Sequence, residues 1–159
     1  MKNILWLLLV VTNISLAQNS VAEYPKGPVA RFTPGELCDR PASYRYPENI
    51  AYCDRNVSTE QKDQVFANYR KNGYRMSYVN RADYKIDHYF PLCAGGSNNN
   101  ENLWPQHISL ANITDSIEQL GCDKMSKGKI SQARFIALIK RVKNDISQAN
   151  AVKIEISRL

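Results

Sequence analysis

A small α+β domain is the fold class this sequence predicts, and three observations predict it. The chain has 159 residues, 43% of them hydrophobic and 23% charged, which suits one compact globular unit. Apolar residues recur with helical period in two stretches, about residues 59–72 and 131–150. Between them, residues 84–89 alternate in the way of a strand. The expected order is an irregular N-terminal arm, a helix, two strands, and two further helices.

Residues 1–17 carry the pattern of a signal peptide. Lys2 supplies the positive start, residues 4–11 form an unbroken apolar run, and Ser15-Leu16-Ala17 offers the small residues a signal peptidase reads. The run is too short to span a bilayer, which needs roughly 17–25 residues. The expectation is cleavage after Ala17 and a secreted or periplasmic product, with no membrane span in the mature form. Export bears on Cys38, Cys53, Cys93 and Cys122, which are spaced by 15, 40 and 29 residues with no C-x-x-C pair. A zinc ribbon wants two close pairs, whereas an even count in an oxidising compartment favours two disulfides. Three connectivities exist, and local closure favours Cys38–Cys53 with Cys93–Cys122.

Residues 18–57, rich in Pro and Tyr, read as an irregular arm stapled by its cysteines, and residues 58–159 as the folded domain. Ser58 and Gln61 have capping-box spacing, Val65, Phe66 and Tyr69 follow on one face, and Gly73 stops the helix. Tyr84, Ile86 and His88 then alternate with Lys85, Asp87 and Tyr89 until Pro91. Residues 95–100 are all turn formers. A short second strand around residues 102–104 closes a hairpin, and Pro105 fits the first turn of a helix that continues to about residue 125. After Gly128, Phe135, Leu138, Ile139, Val142 and Ile146 share one face of a last helix over 131–150.

The chemistry concentrates at residues 81–112. His88 and His107, the chain's two histidines, both lie there, nineteen residues apart. Asp87 directly precedes His88, so on a strand their side chains point to opposite faces unless a bulge re-aims one. An imidazole titrates near neutrality and can activate water, while a carboxylate and one or two neutral ligands can hold a hard divalent ion. A strand–turn–helix unit could bring the two histidines to one pocket.

Asp87-His88, Gly95-Gly96-Ser97, Asn102-Leu103 and His107, in that order, resemble the signature of the HNH endonucleases, the ββα-metal nucleases. The similarity is to small exported members carrying Asn-Leu-Trp-Pro-Gln-His. The resemblance implies a ββα-metal core, with His88 as general base and Asp87 and His107 as metal ligands. It implies that Asn102 holds the loop that aims His88. Asn112 is a rival to His107, because the helix ligand comes later in many relatives. The zinc knuckle of other relatives is missing here. Mg²⁺ is the implied ion, with Mn²⁺, Ni²⁺ or Zn²⁺ as alternatives. The implied products end in 5′-phosphate and 3′-hydroxyl.

The formal net charge is +6, and seven basic residues with no acid lie between Lys124 and Lys143. Such a balance suits non-specific phosphate contact. Arg81, Lys85, Arg134, Lys140 and Arg141 are the candidate nucleic-acid contacts. The function expected is an exported, metal-dependent endonuclease of low sequence specificity, acting on DNA first and RNA second, with no obligate protein partner. The alternative is a catalytically degenerate secreted protein that binds nucleic acid or another anionic polymer. A metal-dependent nicking assay separates the two.

Overall fold

The structure, a computed structural model, describes residues 24–76 and 80–159. The signal-peptide segment expected over residues 1–17 lies outside the described residues. The described residues form a small α+β domain with four helices, two two-stranded sheets and two disulfides. No helix among the described residues is long and apolar enough to cross a membrane. The two bridges suit an oxidising compartment.

The arm is less irregular than its composition suggests. It contains an antiparallel hairpin of β1 (Ser43–Arg45) and β2 (Ile50–Tyr52), whose turn places Tyr46 and Asn49 at φ 66° and 57°. Cys38–Cys53 closes this hairpin within the arm. Backbone pairing joins the arm to the body: Gly35 N donates to Glu101 O, Cys38 N to Gly95 O, and Ser97 N to Glu36 O.

Helix α1 (Thr59–Lys71) begins where the capping pattern placed it, with Ser58 Oγ accepting from Gln61 N at 3.1 Å. The Gln61 side chain does not complete the capping box. It reaches Asn98 O at 2.6 Å and Asn100 Oδ1 at 3.1 Å instead. Val65, Phe66 and Tyr69 are buried, and Tyr69 hydroxyl meets Thr33 Oγ1 and Val29 N, fixing the arm to α1.

The central hairpin pairs β3 (Tyr84–His88) with β4 (Leu103–His107) in antiparallel register, from Tyr84 opposite His107 to His88 opposite Leu103. The strand therefore runs three residues beyond the expected 102–104. Pro105 is a strand residue, and helix α2 starts only at Ile108 (Ile108–Ser126). Register explains this. Tyr89 N donates to Asn102 O, so the alternation makes Ile86 and Pro105 a non-hydrogen-bonded pair. The ladder never needs the amide that proline lacks.

Helix α3 (Gln132–Asn144) is likewise shorter than expected. Asp145 leaves helical geometry at φ −144°, ψ 98°, and its carboxylate caps the next turn through Ser147 N. Helix α4 (Ala149–Ser157) then returns against α2. Phe135, Leu138, Ile139 and Val142 do form the buried face of α3, packing with Ile117, Met125, Val152 and Ile156 into the helical core. Gly121 is required there, because a Cβ would run into the Phe135 ring. The second bridge, Cys93–Cys122, ties the loop after β3 to α2.

The hairpin lies between helices. Residues directly opposite in an antiparallel pair share a face. Lys85, Asp87, Trp104 and Gln106 make up one face, against α2, as Gln106 Nε2 donating to Thr114 Oγ1 at 3.0 Å attests. Tyr84, Ile86, His88, Leu103, Pro105 and His107 make up the other, which meets α1 through the edge-on Phe66–Tyr84 ring contact.

Candidate active site

The loop from Phe90 to Asn102 is built around Asn102, which is 0% exposed. Its Oδ1 accepts from Phe90 N at 2.8 Å and from Glu36 N at 3.4 Å. Its Nδ2 donates to Phe90 O at 3.0 Å and Ser97 O at 2.9 Å. Three of these backbone contacts close the loop onto the end of β3, and the fourth ties the arm to it. At Gly96 a Cβ would run into Phe90 O, so only glycine lets the loop close. Glu36 from the arm holds Ser97 Oγ at 2.7 Å and Asn99 Nδ2 at 2.6 Å.

This loop delivers Asn98 to His88. Asn98 Nδ2 donates to Asp54 O at 2.8 Å, which orients the amide, so its Oδ1 is the atom 3.0 Å from His88 Nε2. An amide oxygen only accepts, so Nε2 carries the proton and Nδ1 the lone pair. Among the described residues nothing bonds Nδ1. His88 is 3% exposed and lines a cleft of about 190 Å³ with Arg55, Asn56, Val57, Lys62 and Ile86. Burial lowers its pKa below the usual imidazole value; Asn98 and Asp87 oppose this, and Arg55 and Lys143 add to it. The imidazole is thus neutral at pH 7 and oriented, as a general base must be.

Asp87 points the other way, as strand geometry requires. Its Oδ2 lies 2.8 Å from Lys143 Nζ and its Oδ1 3.4 Å from Lys85 Nζ. Lys143, with its side chain 0% exposed, also lies 2.6 Å from Glu118 Oε1 and donates to His88 O. Lys85 reaches Asp115 Oδ1 at 2.7 Å as well. Burial works against the Asp87 charge, but Lys143 and Lys85 outweigh it and hold the carboxyl below its ordinary range. Burial outweighs Lys143 at Glu118 and pushes that carboxyl up to about 7. Burial also works against the Lys143 ammonium, and Asp87 and Glu118 raise its pKa regardless.

The two histidines share a face but stand at opposite ends of the hairpin, about 13 Å apart by strand rise. His107 stacks on Tyr24 at 4.3 Å and caps α2, its Nδ1 accepting from Ser109 N at 3.2 Å. Asn112 lines a separate groove between α2 and α4, with Ser116, Asn150 and Lys153. The ligand set that the resemblance implies is therefore not brought together. Asp87 is committed to two ammonium groups, and His107 lies on the other face and caps a helix. This donor set does not fit a divalent ion, and among the described residues no three of His, Cys, Asp and Glu converge on one point.

The expected nucleic-acid contacts are also engaged elsewhere. Arg134 and Arg141 meet Glu155 at 3.5 and 2.9 Å, and Lys85 lies in the Asp87–Asp115 network. Arg81 donates to Tyr84 O over the Phe66 ring, and Lys140 lies 5.7 Å over the Phe90 ring. Sequence reasoning missed three residues here. Asn98 reads as one of three turn asparagines, and Lys143 as one of a basic run. Arg55 carries no local signal beyond its closeness to Cys53.

Comparison with protein-family models, with curated proteins and with solved structures finds no match for this chain. The resemblance in residues 81–112 stands on its motif alone.

Proposed function

We propose that this protein is an HNH-type endonuclease that hydrolyses the phosphodiester backbone of nucleic acid, DNA first, with low sequence specificity and with His88 as the general base. The observation that carries the proposal is His88 itself: a buried imidazole whose Nε2–H is held by Asn98, leaving the lone pair on Nδ1, in a residue that lines a cleft with two cationic side chains. Three ordered elements, β3, β4 and α2, follow one another as a ββα-metal core would.

In the proposed step a water in the cleft gives its proton to His88 Nδ1 as its oxygen attacks phosphorus. The P–O bond to the leaving oxygen breaks, its electron pair goes to that oxygen, and solvent supplies the proton. Asn98 keeps the imidazole in the productive tautomer and Asn102 keeps the loop closed, so both are positioning residues. The test is incubation of the oxidised protein with supercoiled plasmid and with RNA, with Mg²⁺ and with EDTA. Conversion to nicked and linear plasmid, lost in His88→Ala, is the expected result. A folded protein that leaves plasmid and RNA intact under both conditions overturns the proposal in favour of a binding protein.

A further inference from the structure

We propose that the cleft on the α1 face of the central hairpin is a phosphate subsite, in which Arg55 and Lys62 hold backbone phosphates of a nucleic-acid strand against His88. This deepens the hydrolase reading and rests on it.

Three observations point here and away from the basic run of α3. The first is availability. Among the described residues neither Arg55 nor Lys62 has a carboxylate within ion-pair distance, whereas Lys85, Arg134, Arg141 and Lys143 all do. A basic side chain already paired must break that pair to take a phosphate, while these two need break nothing.

The second is construction. Arg55 lies two residues after Cys53, whose bridge to Cys38 fixes the chain on one side. Asp54 O, accepting from Asn98 Nδ2, holds the residue immediately before Arg55 on that same side and ties it to the group that orients the base. The arm thus brings Arg55 to the cleft on an anchored backbone, and its planar guanidinium fork suits two phosphate oxygens at once.

The third is cost. Lys62 sits in the first turn of α1, where the helix dipole disfavours a cation. An anionic ligand in the cleft offsets that cost, beyond what Glu60 of the same turn supplies. The α1 N-terminus adds to the same positive field. Asn56 supplies a neutral donor beside the cations, and Val57 and Ile86 leave an apolar wall suited to a sugar. His88, a residue 3% exposed, also lines this space, and its Nδ1 has no hydrogen-bond partner among the described residues.

The experiment is fluorescence anisotropy of a labelled oligonucleotide, single-stranded and duplex, titrated with His88→Ala protein in EDTA over a range of salt. Adding Arg55→Ala and Lys62→Ala together should weaken binding at least about tenfold. It should also make the log–log salt slope shallower by about 1.4–1.8, the loss of two phosphate contacts. Lys140→Ala with Arg141→Ala, on the same background, should change both far less. Because Lys62 opposes the helix dipole, its loss should not lower the unfolding temperature. Unchanged affinity and slope in the Arg55/Lys62 variant overturns the subsite, and so does an absence of binding by His88→Ala protein. If wild type cleaves and the Arg55/Lys62 variant binds normally, the subsite falls while the hydrolase reading stands. If no cleavage occurs but the two substitutions abolish binding, the subsite stands and the hydrolase reading falls.

Discussion

Lys143→Met removes the ammonium from the centre of the ion network and keeps a side chain of similar length. In the wild type that ammonium is completely buried, 2.8 Å from Asp87 Oδ2 and 2.6 Å from Glu118 Oε1. Its loss leaves two largely buried carboxyls facing each other and the His88 carbonyl without its donor. Breaking a buried pair by removing one partner costs about 3–5 kcal/mol. Each kcal/mol moves the Tm of a domain this size by roughly 2–4 °C, so a drop of at least about 6 °C is expected at pH 8. The deficit should shrink at acid pH, and the sign follows from Glu118. Its carboxyl already sits up at about 7, raised by burial and opposed by Lys143. At pH 5 it is mostly protonated with or without Lys143, so the substitution then strands one charge instead of two. Urea unfolding followed by circular dichroism at pH 8 and pH 5 measures both numbers. The double variant Lys143→Met/Glu118→Gln should recover part of the loss at pH 8 and provides a folded comparison if the single variant aggregates. A loss under about 1 kcal/mol at pH 8, or a larger loss at pH 5 than at pH 8, would refute the reasoning.

Asn98→Ala should lower kcat about tenfold or more with little change in KM, since it frees the base and touches no phosphate. Asn98→Asp should move the acid limb of the kcat/KM profile upward in pH, because a carboxylate favours the imidazolium. In the wild type that limb should lie below the reference imidazole value of about 6.5, since burial lowers the His88 pKa. The same shift makes His88 a source of acid instability. The unfolded chain binds the proton first, so stability falls as pH drops through about 6.5 and levels off below the folded pKa, which urea midpoints across that window will show. Calorimetric Mn²⁺ titration of wild type should find no stoichiometric site at about 0.1 mM, a range typical of weak oxygen sites. A tighter site abolished by Asp87→Ala or His107→Ala would restore the ligand set implied by the motif. Cys93→Ser with Cys122→Ser should cost on the order of 3 kcal/mol, read from urea midpoints of oxidised proteins.

How much was legible beforehand depended on how local each signal is. The start of α1, the alternation of β3, the turn at 95–100 and the buried stripe of α3 are written in neighbouring residues, and all four are found. Both disulfides follow the local-closure preference. The longer β4 and the break at Asp145 were hidden because each depends on a partner element. Pro105 reads as a helix start until its register opposite Ile86 is known. Asp145 reads as one more helical residue until its carboxylate is seen capping Ser147. The candidate site divides in the same way. His88 and Asn102 stand out by motif, and their opposition to Asp87 follows from strand parity. That Lys143, 56 residues downstream, occupies the Asp87 carboxylate has no local trace. Nor does the reach of Asn98 to His88, which depends on Asn102, Glu36 and Gln61 folding one loop over β3.

The most direct measurement is the ratio of plasmid-nicking rates of wild type and His88→Ala, both oxidised and both shown folded by circular dichroism. Loss of a general base predicts a ratio of at least about one hundred. The far-UV spectrum should be unchanged, because the His88 carbonyl that holds Lys143 belongs to the backbone and survives the substitution. A folded His88→Ala protein that nicks plasmid at near wild-type rate contradicts the assignment of His88 as the base.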